Sequence, residues 1–148
     1  RKKGSKVTMI GQTSGTVFLD QNPVSGKSSY YAKAIKGSLT GKEGSAKKIT
    51  LPKATTKVTA KAKTDKTVVL SWKKVKGATG YLVYRSTKKN GSYQRIAVLK
   101  KGTKCTYTDK KGLKKGMKYH YRIVTVKKKT YSPAKTTKAV KIKAAKKK

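Results

Sequence analysis

Apolar and polar residues alternate with a period of two along most of this chain, and no useful window repeats apolar residues at i, i+3, i+4 and i+7. The pattern predicts an all-β protein. Between Thr67 and Trp72, the side chains of Val68, Leu70 and Trp72 share one face and those of Thr67, Val69 and Ser71 the other, as in a half-buried strand. Tyr81 to Arg85 follows the turn Lys76-Gly77-Ala78-Thr79-Gly80, with Tyr81 and Val83 facing inward. Beyond Asn90-Gly91, the strongest turn signal in the chain, two shorter strands are predicted at Arg95 to Leu99 and Lys104 to Thr108. Tyr119 to Val126 is the longest, with Tyr119, Tyr121 and Ile123 on one side and His120, Arg122 and Val124 on the other. Val140 and Ile142 belong to a last strand, and an opening one lies around Val58 to Ala62. Turn signals spaced about 8 to 12 residues apart point to a β-sandwich, in which two half-apolar sheets bury each other's faces. Val58, Ala60, Ile96, Val98, Tyr107 and Leu113 complete the expected inward set.

The first fifty residues echo the later part of this series. Val17-Phe18-Leu19-Asp20 parallels Thr106-Tyr107-Thr108-Asp109, an offset of 89 residues between the aspartates. Gly26 leads into Tyr30-Tyr31 as Gly116 leads into Tyr119 and Tyr121, and Ile49-Thr50-Leu51 parallels Val140-Lys141-Ile142. So long a period means tandem domains rather than a solenoid. The expected boundary is Leu51-Pro52, and residues 144–148 read as a basic tail or the start of a linker. The chain opens on Arg1, not Met, and reads as a piece of something longer.

Charge sharpens the picture. The 148 residues carry 41 Lys plus Arg against 4 Asp plus Glu, a net charge of +37, with 34% apolar residues to form one modest core. Only Arg1, Arg85, Arg95 and Arg122 are arginines, so 37 of the cations are lysines, scattered over turns and outward strand positions. Reading base edges favours the planar fork of Arg over the hydrated point charge of Lys, which argues against specific nucleic-acid recognition. Nonspecific attraction to polyanions is still expected through counterion release.

Catalytic raw material is scarce. Cys105 has no second cysteine to bridge, and no cysteine-based zinc site can form. His120 has no nucleophile motif beside it, and Asp20 and Asp109 are repeat equivalents expected to hydrogen-bond backbone in turns. No catalytic, metal or cofactor site is predicted. The longest apolar run, Ile96 to Leu99, is far short of a membrane span.

Pro52, Leu70-Ser71-Trp72, Tyr81-Leu82-Val83 and above all Leu113-x-x-Gly116-x-x-Tyr119-x-Tyr121 resemble a fibronectin type III domain. The resemblance implies an immunoglobulin-like β-sandwich. It implies one complete domain at 52–143, preceded at 1–51 by the C-terminal half of another. It also makes Tyr119 the corner tyrosine, whose hydroxyl bonds back to backbone across the turn between the fifth and sixth strands. Trp72, Leu113, Gly116, Tyr119 and Tyr121 are then structural residues. In the first unit Ser28 or Ser29 stands where the corner tyrosine belongs.

The Lys-rich, Gly-punctuated style resembles repeats of Gram-positive secreted or surface proteins. That resemblance implies a non-catalytic, extracellular spacer or interaction module, with neighbouring domains and anionic cell-envelope polymers as partners. Two other readings stand beside it. One is a polyanion-binding protein acting on nucleic acid; the other is a carbohydrate-binding accessory module using Tyr84, Tyr93 and Tyr131.

Overall fold

The computed structural model describes residues 1–142, in which all helix or strand structure is strand. The expected tail at 144–148 and the last residue of the expected second domain lie outside the described residues. The chain divides into two compact units, Arg1–Leu51 and a second beginning at Pro52.

Six strands make up the first unit: β1 (Lys2–Lys3), β2 (Lys6–Val7), β3 (Gly26–Tyr30), β4 (Lys33–Lys36), β5 (Leu39–Glu43) and β6 (Lys47–Leu51). The second unit holds β7 (Thr59–Thr64), β8 (Thr67–Ser71), β9 (Gly80–Ser86), β10 (Gln94–Leu99), β11 (Thr106–Asp109) and β12 (Lys118–Lys127). Three short strands follow, β13 (Thr130–Tyr131), β14 (Lys135–Thr136) and β15 (Val140–Lys141).

In the second unit, one antiparallel sheet runs β11-β8-β7. The other runs β10-β9-β12, and β13, β14 and β15 all pair with β12. Alternation places Val68 and Leu70 of the first sheet against Tyr81, Val83, Tyr121 and Ile123 of the second, all of them fully buried. Each such aliphatic side chain contributes roughly 1.5 to 3 kcal/mol by leaving water. Trp72, just past β8, packs edge-on against Tyr81 with centroids 5.3 Å apart. The hydroxyl of Tyr81 accepts from the Val75 backbone N–H at 3.0 Å, which ties down the loop leaving Trp72.

Strand β10 corrects the expected phase. Val98, placed inward by alternation, is 52% exposed, whereas Leu99 is buried. Between Arg95 and Ala97 the register with β9 shifts. A bulge inserts one residue and flips the side chains that follow to the opposite face. Ile96 and Ala97 therefore both pack on the core, and Val98 turns out.

The first unit forms a sheet of order β2-β1-β3-β6 and a separate hairpin of β4 and β5. Its pairings repeat those of the second unit. Lys2 lies opposite Ser29 across β1 and β3 as Ser86 lies opposite His120 across β9 and β12. The long hairpin of β3 with β6 and β4 with β5 parallels that of β12 with β13 to β15. Among the described residues the first unit has no counterpart of β7 or β8. Val17-Phe18-Leu19, which parallel β11, form no strand, and Val17 is 82% and Leu19 70% exposed. A strand's backbone groups need a partner, and the one that β11 finds in β8 is missing here.

Candidate functional site

Arg85 lies in phase with Tyr81 and Val83, so β9 carries its guanidinium toward the interior side of the sheet. Asp109, 2% exposed at the end of β11, meets it. Arg85 Nη1 donates to Asp109 Oδ2 at 2.9 Å and to the Lys111 carbonyl at 2.6 Å. The Tyr121 hydroxyl donates to the same Oδ2 at 2.9 Å, and the Lys111 N–H to Oδ1 at 3.3 Å. One carboxylate thus joins both sheets and the turn after β11.

The first unit contains the same clamp. Arg1 Nη1 donates to Asp20 Oδ2 at 2.8 Å and to the Asn22 carbonyl at 2.7 Å, Tyr30 donates to Oδ2 at 2.8 Å, and the Asn22 N–H to Oδ1 at 2.9 Å. Tyr30 therefore corresponds to Tyr121, which leaves Ser28, buried at the strand position two residues earlier, in the place of Tyr119. Asp20 and Asp109 both bond the backbone of their turns. Sequence reading missed the arginine and tyrosine partners. An inward-phase charge on β9 was the available signal, because a buried guanidinium requires a paired acceptor.

Tyr119 makes the corner. Its hydroxyl accepts from the Lys114 N–H at 3.0 Å and donates to the Gly112 carbonyl at 3.5 Å, while the Arg85 guanidinium lies 5.4 Å from its ring centroid. Gly116 turns the chain with φ +76°, a left-handed conformation, and its N–H reaches the Ile142 carbonyl at 3.0 Å. Leu113 packs half-buried against the core beneath that turn. Removing the hydroxyl by Tyr119→Phe strands the Lys114 N–H and is expected to cost about 1 to 3 kcal/mol in a urea melt. Tyr84→Phe, whose hydroxyl makes no comparable bond to a turn, is the control and should leave the midpoint in place.

Burial, and then the neighbouring Asp109 carboxylate, push the Tyr121 hydroxyl far above its ordinary value of 10.0. The protonated form is the one the fold stabilises. That stability is complete below the unfolded value near pH 10 and is lost as pH rises toward the folded one. On alkaline titration the exposed tyrosines, such as Tyr131, are expected to ionise while the fold persists, and a last fraction of tyrosinate absorbance should appear together with loss of circular dichroism. In Tyr121→Phe that last, structure-linked fraction should shrink.

The outward face of the second sheet has a different chemistry. From Leu82 to Ser86 on β9, and from His120 to Val126 on β12, no outward position is lysine. Arg95, Tyr84, Arg122 and Thr136 are paired in one row across β10, β9, β12 and β14. The Arg122 guanidinium stacks 3.9 Å from the Tyr93 ring centroid, and its Nε donates to Thr136 Oγ1 at 3.3 Å. Tyr93 in turn donates to the Lys89 carbonyl at 2.9 Å. Beside this row an open cleft of about 420 Å³ is lined by Lys89, His120, Thr136, Thr137, Lys138 and Ala139. His120 is half-buried, and its Nδ1 atom is buried without a hydrogen-bond partner. Cys105 is half-buried against the core, with Sγ 3.9 Å from the Tyr81 hydroxyl. Tyr131 stands exposed at a hairpin end, away from Tyr84 in the sheet.

Comparison with known proteins adds kinship. Residues 52–140 match the sequence profile of the fibronectin type III domain. Over 78 residues, 53% of the chain, the sequence is 40% identical to an amylopullulanase of Thermoanaerobacterium saccharolyticum; the match spans 6% of that protein's length. An Fn3-like protein from Clostridium thermocellum superposes with a TM-score of 0.52 at 29% identity, over 61% of this chain and 90% of that one. A two-domain segment of chicken tenascin gives 0.54 at 20% identity, over 78% of this chain and 64% of that one, and shares the fold.

Proposed function

Since the chain belongs to the fibronectin type III family, which its residues 52–140 match, we propose that it is a non-catalytic spacer and interaction module of a larger bacterial secreted or surface protein. Its cationic surface associates electrostatically with anionic cell-envelope polymers. The observation that carries this reading is the fate of the carboxylates. Asp20 pairs with Arg1, Glu43 with Lys33, Asp65 with Lys115 and Asp109 with Arg85, at 2.8 to 3.2 Å. All four acids of the chain are held in ion pairs. That arrangement gives a general acid or base little to work with. It also leaves a net charge of +37 facing water and counterions. The amylopullulanase relative, in which the matched segment is 6% of the length, supports a module set among other parts of a long bacterial chain.

Co-sedimentation with purified Gram-positive cell walls tests the proposal. Retention is expected to fall steeply between about 0.05 and about 0.2 M salt, because each neutralised anion releases a condensed counterion. Walls stripped of their anionic polymers should retain little protein. Retention indifferent to both salt and stripping would end the reading.

A further inference from the structure

The row Arg95-Tyr84-Arg122-Thr136 and the cleft beside it contrast with the rest of the surface. Elsewhere outward strand positions are commonly lysine, as at Lys61 and Lys63 of β7. Here two of the four arginines lie in one row with tyrosine between them. The substitution of type has a physical meaning. Lysine supplies charge alone, whereas a guanidinium held flat on a ring presents a fixed fork to a planar or tetrahedral anion. Arg122 is held on both sides, by the Tyr93 ring and by Thr136 Oγ1, so little side-chain freedom remains to be lost on binding.

A second observation is independent of the row. Thr136 also lines the cleft, whose wall carries Lys89, Lys138 and His120. Among the described residues no side-chain carboxylate neutralises this concentration of cations, because Asp20, Glu43, Asp65 and Asp109 pair elsewhere. Cleft and row together offer positive charge, the Thr136 hydroxyl shared between them, and the half-buried ring of Tyr84 between two guanidinium-bearing residues.

We infer that the outward face of β10, β9 and β12 binds a uronic-acid polysaccharide, with carboxylates on Arg122 and Arg95 and a sugar ring against Tyr84. Ring and carboxylate recur together along such a chain, which matches an alternation of fork and aromatic. A polyol phosphate chain supplies the charge but no ring to lie on Tyr84. The inference rests on the proposed association with anionic polymers and assigns it a place and a ligand class.

Calorimetric titration of the full chain near physiological salt, about 0.15 M, separates the possibilities. The probes are polygalacturonate, polyglutamate of matched charge, poly(glycerol phosphate) and pullulan. Polygalacturonate is expected to bind tightest. Arg122→Lys keeps the net charge but removes the fork, and should weaken polygalacturonate about tenfold while leaving polyglutamate within about twofold. Arg95→Lys, at an exposed position, should act in the same direction and carries the test if Arg122→Lys lowers the melting temperature. Equal affinity for polygalacturonate and polyglutamate, or a folded Arg122→Lys that binds as before, would overturn the site while leaving electrostatic association standing. Tighter binding of poly(glycerol phosphate) or of pullulan would overturn the ligand class. Binding of no polyanion at all would sink both this site and the broader association.

Discussion

Asp109→Ala is expected to lower the stability of the second unit by about 3 to 5 kcal/mol, the usual result of removing one partner from a buried ion pair. Asp109 is 2% exposed and accepts three hydrogen bonds, from Arg85, Tyr121 and the Lys111 backbone. Its loss leaves a guanidinium without its counterion and a buried hydroxyl without its acceptor. A domain of this size has about 5 to 15 kcal/mol in all, so a large part of the margin would go. Urea melts of residues 52–148 and of Asp109→Ala measure the difference. Arg85→Lys preserves the charge but replaces the planar guanidinium, whose Nη1 donates to both Asp109 and the Lys111 carbonyl, with a shorter and more strongly hydrated ammonium, and should fall between the two. A loss below about 1 kcal/mol for Asp109→Ala would mean that the pair is solvated and contributes little, as surface pairs do.

Cutting the chain at Leu51-Pro52 is expected to have an equally large but one-sided effect. Residues 52–148 should melt cooperatively, since both sheets and the core of Leu70, Tyr81, Tyr121 and Ile123 lie within them. Residues 1–51 should not. They contain a clamp, a four-stranded sheet and the two-stranded hairpin of β4 and β5, yet Met9, Leu19, Ile35 and Leu39 are each more than half exposed. So small an assembly of short strands cannot remove enough apolar surface from water to offset the cost of ordering its backbone. Amide spectra of the isolated 1–51 peptide check this, because dispersed, sharp resonances require a packed interior.

How much of this was legible in the sequence differs by element. Strands β8, β9 and β12 were readable because each has apolar residues on strict alternate positions, and the structure buries Val68, Leu70, Tyr81, Val83, Tyr121 and Ile123 as that alternation requires. Strand β10 was misread at Val98, since a bulge is a pairing event between two strands and leaves no mark in the periodicity of either. The turn role of Asp109 could be inferred from its neighbours. Its bonds to Arg85 and Tyr121, 24 and 12 residues away, depend on how the two sheets are stacked. The Arg95-Tyr84-Arg122 row was hidden for the same reason. Each member looks like an ordinary outward residue until the register of β10, β9 and β12 sets them side by side. The period of 89 residues was legible in a few short words, whereas its shared geometry became visible only when Arg1, at no fixed sequence offset with the rest, turned out to occupy the place of Arg85.

The two clamps divide labour between the two kinds of cation in this chain. Both are closed by guanidinium groups, from Arg1 and Arg85, while the lysine ion pairs, Lys33 with Glu43 and Lys115 with Asp65, have ammonium partners that are about half exposed. Amine chemistry and the two clamps are therefore separate. An acylating reagent or an acetyltransferase could erase most of the surface charge, residue by residue, without reaching the guanidinium nitrogen that closes either clamp. The net charge of such a module can drift through evolution, or be titrated at the bench by lysine modification, as a variable nearly independent of its fold.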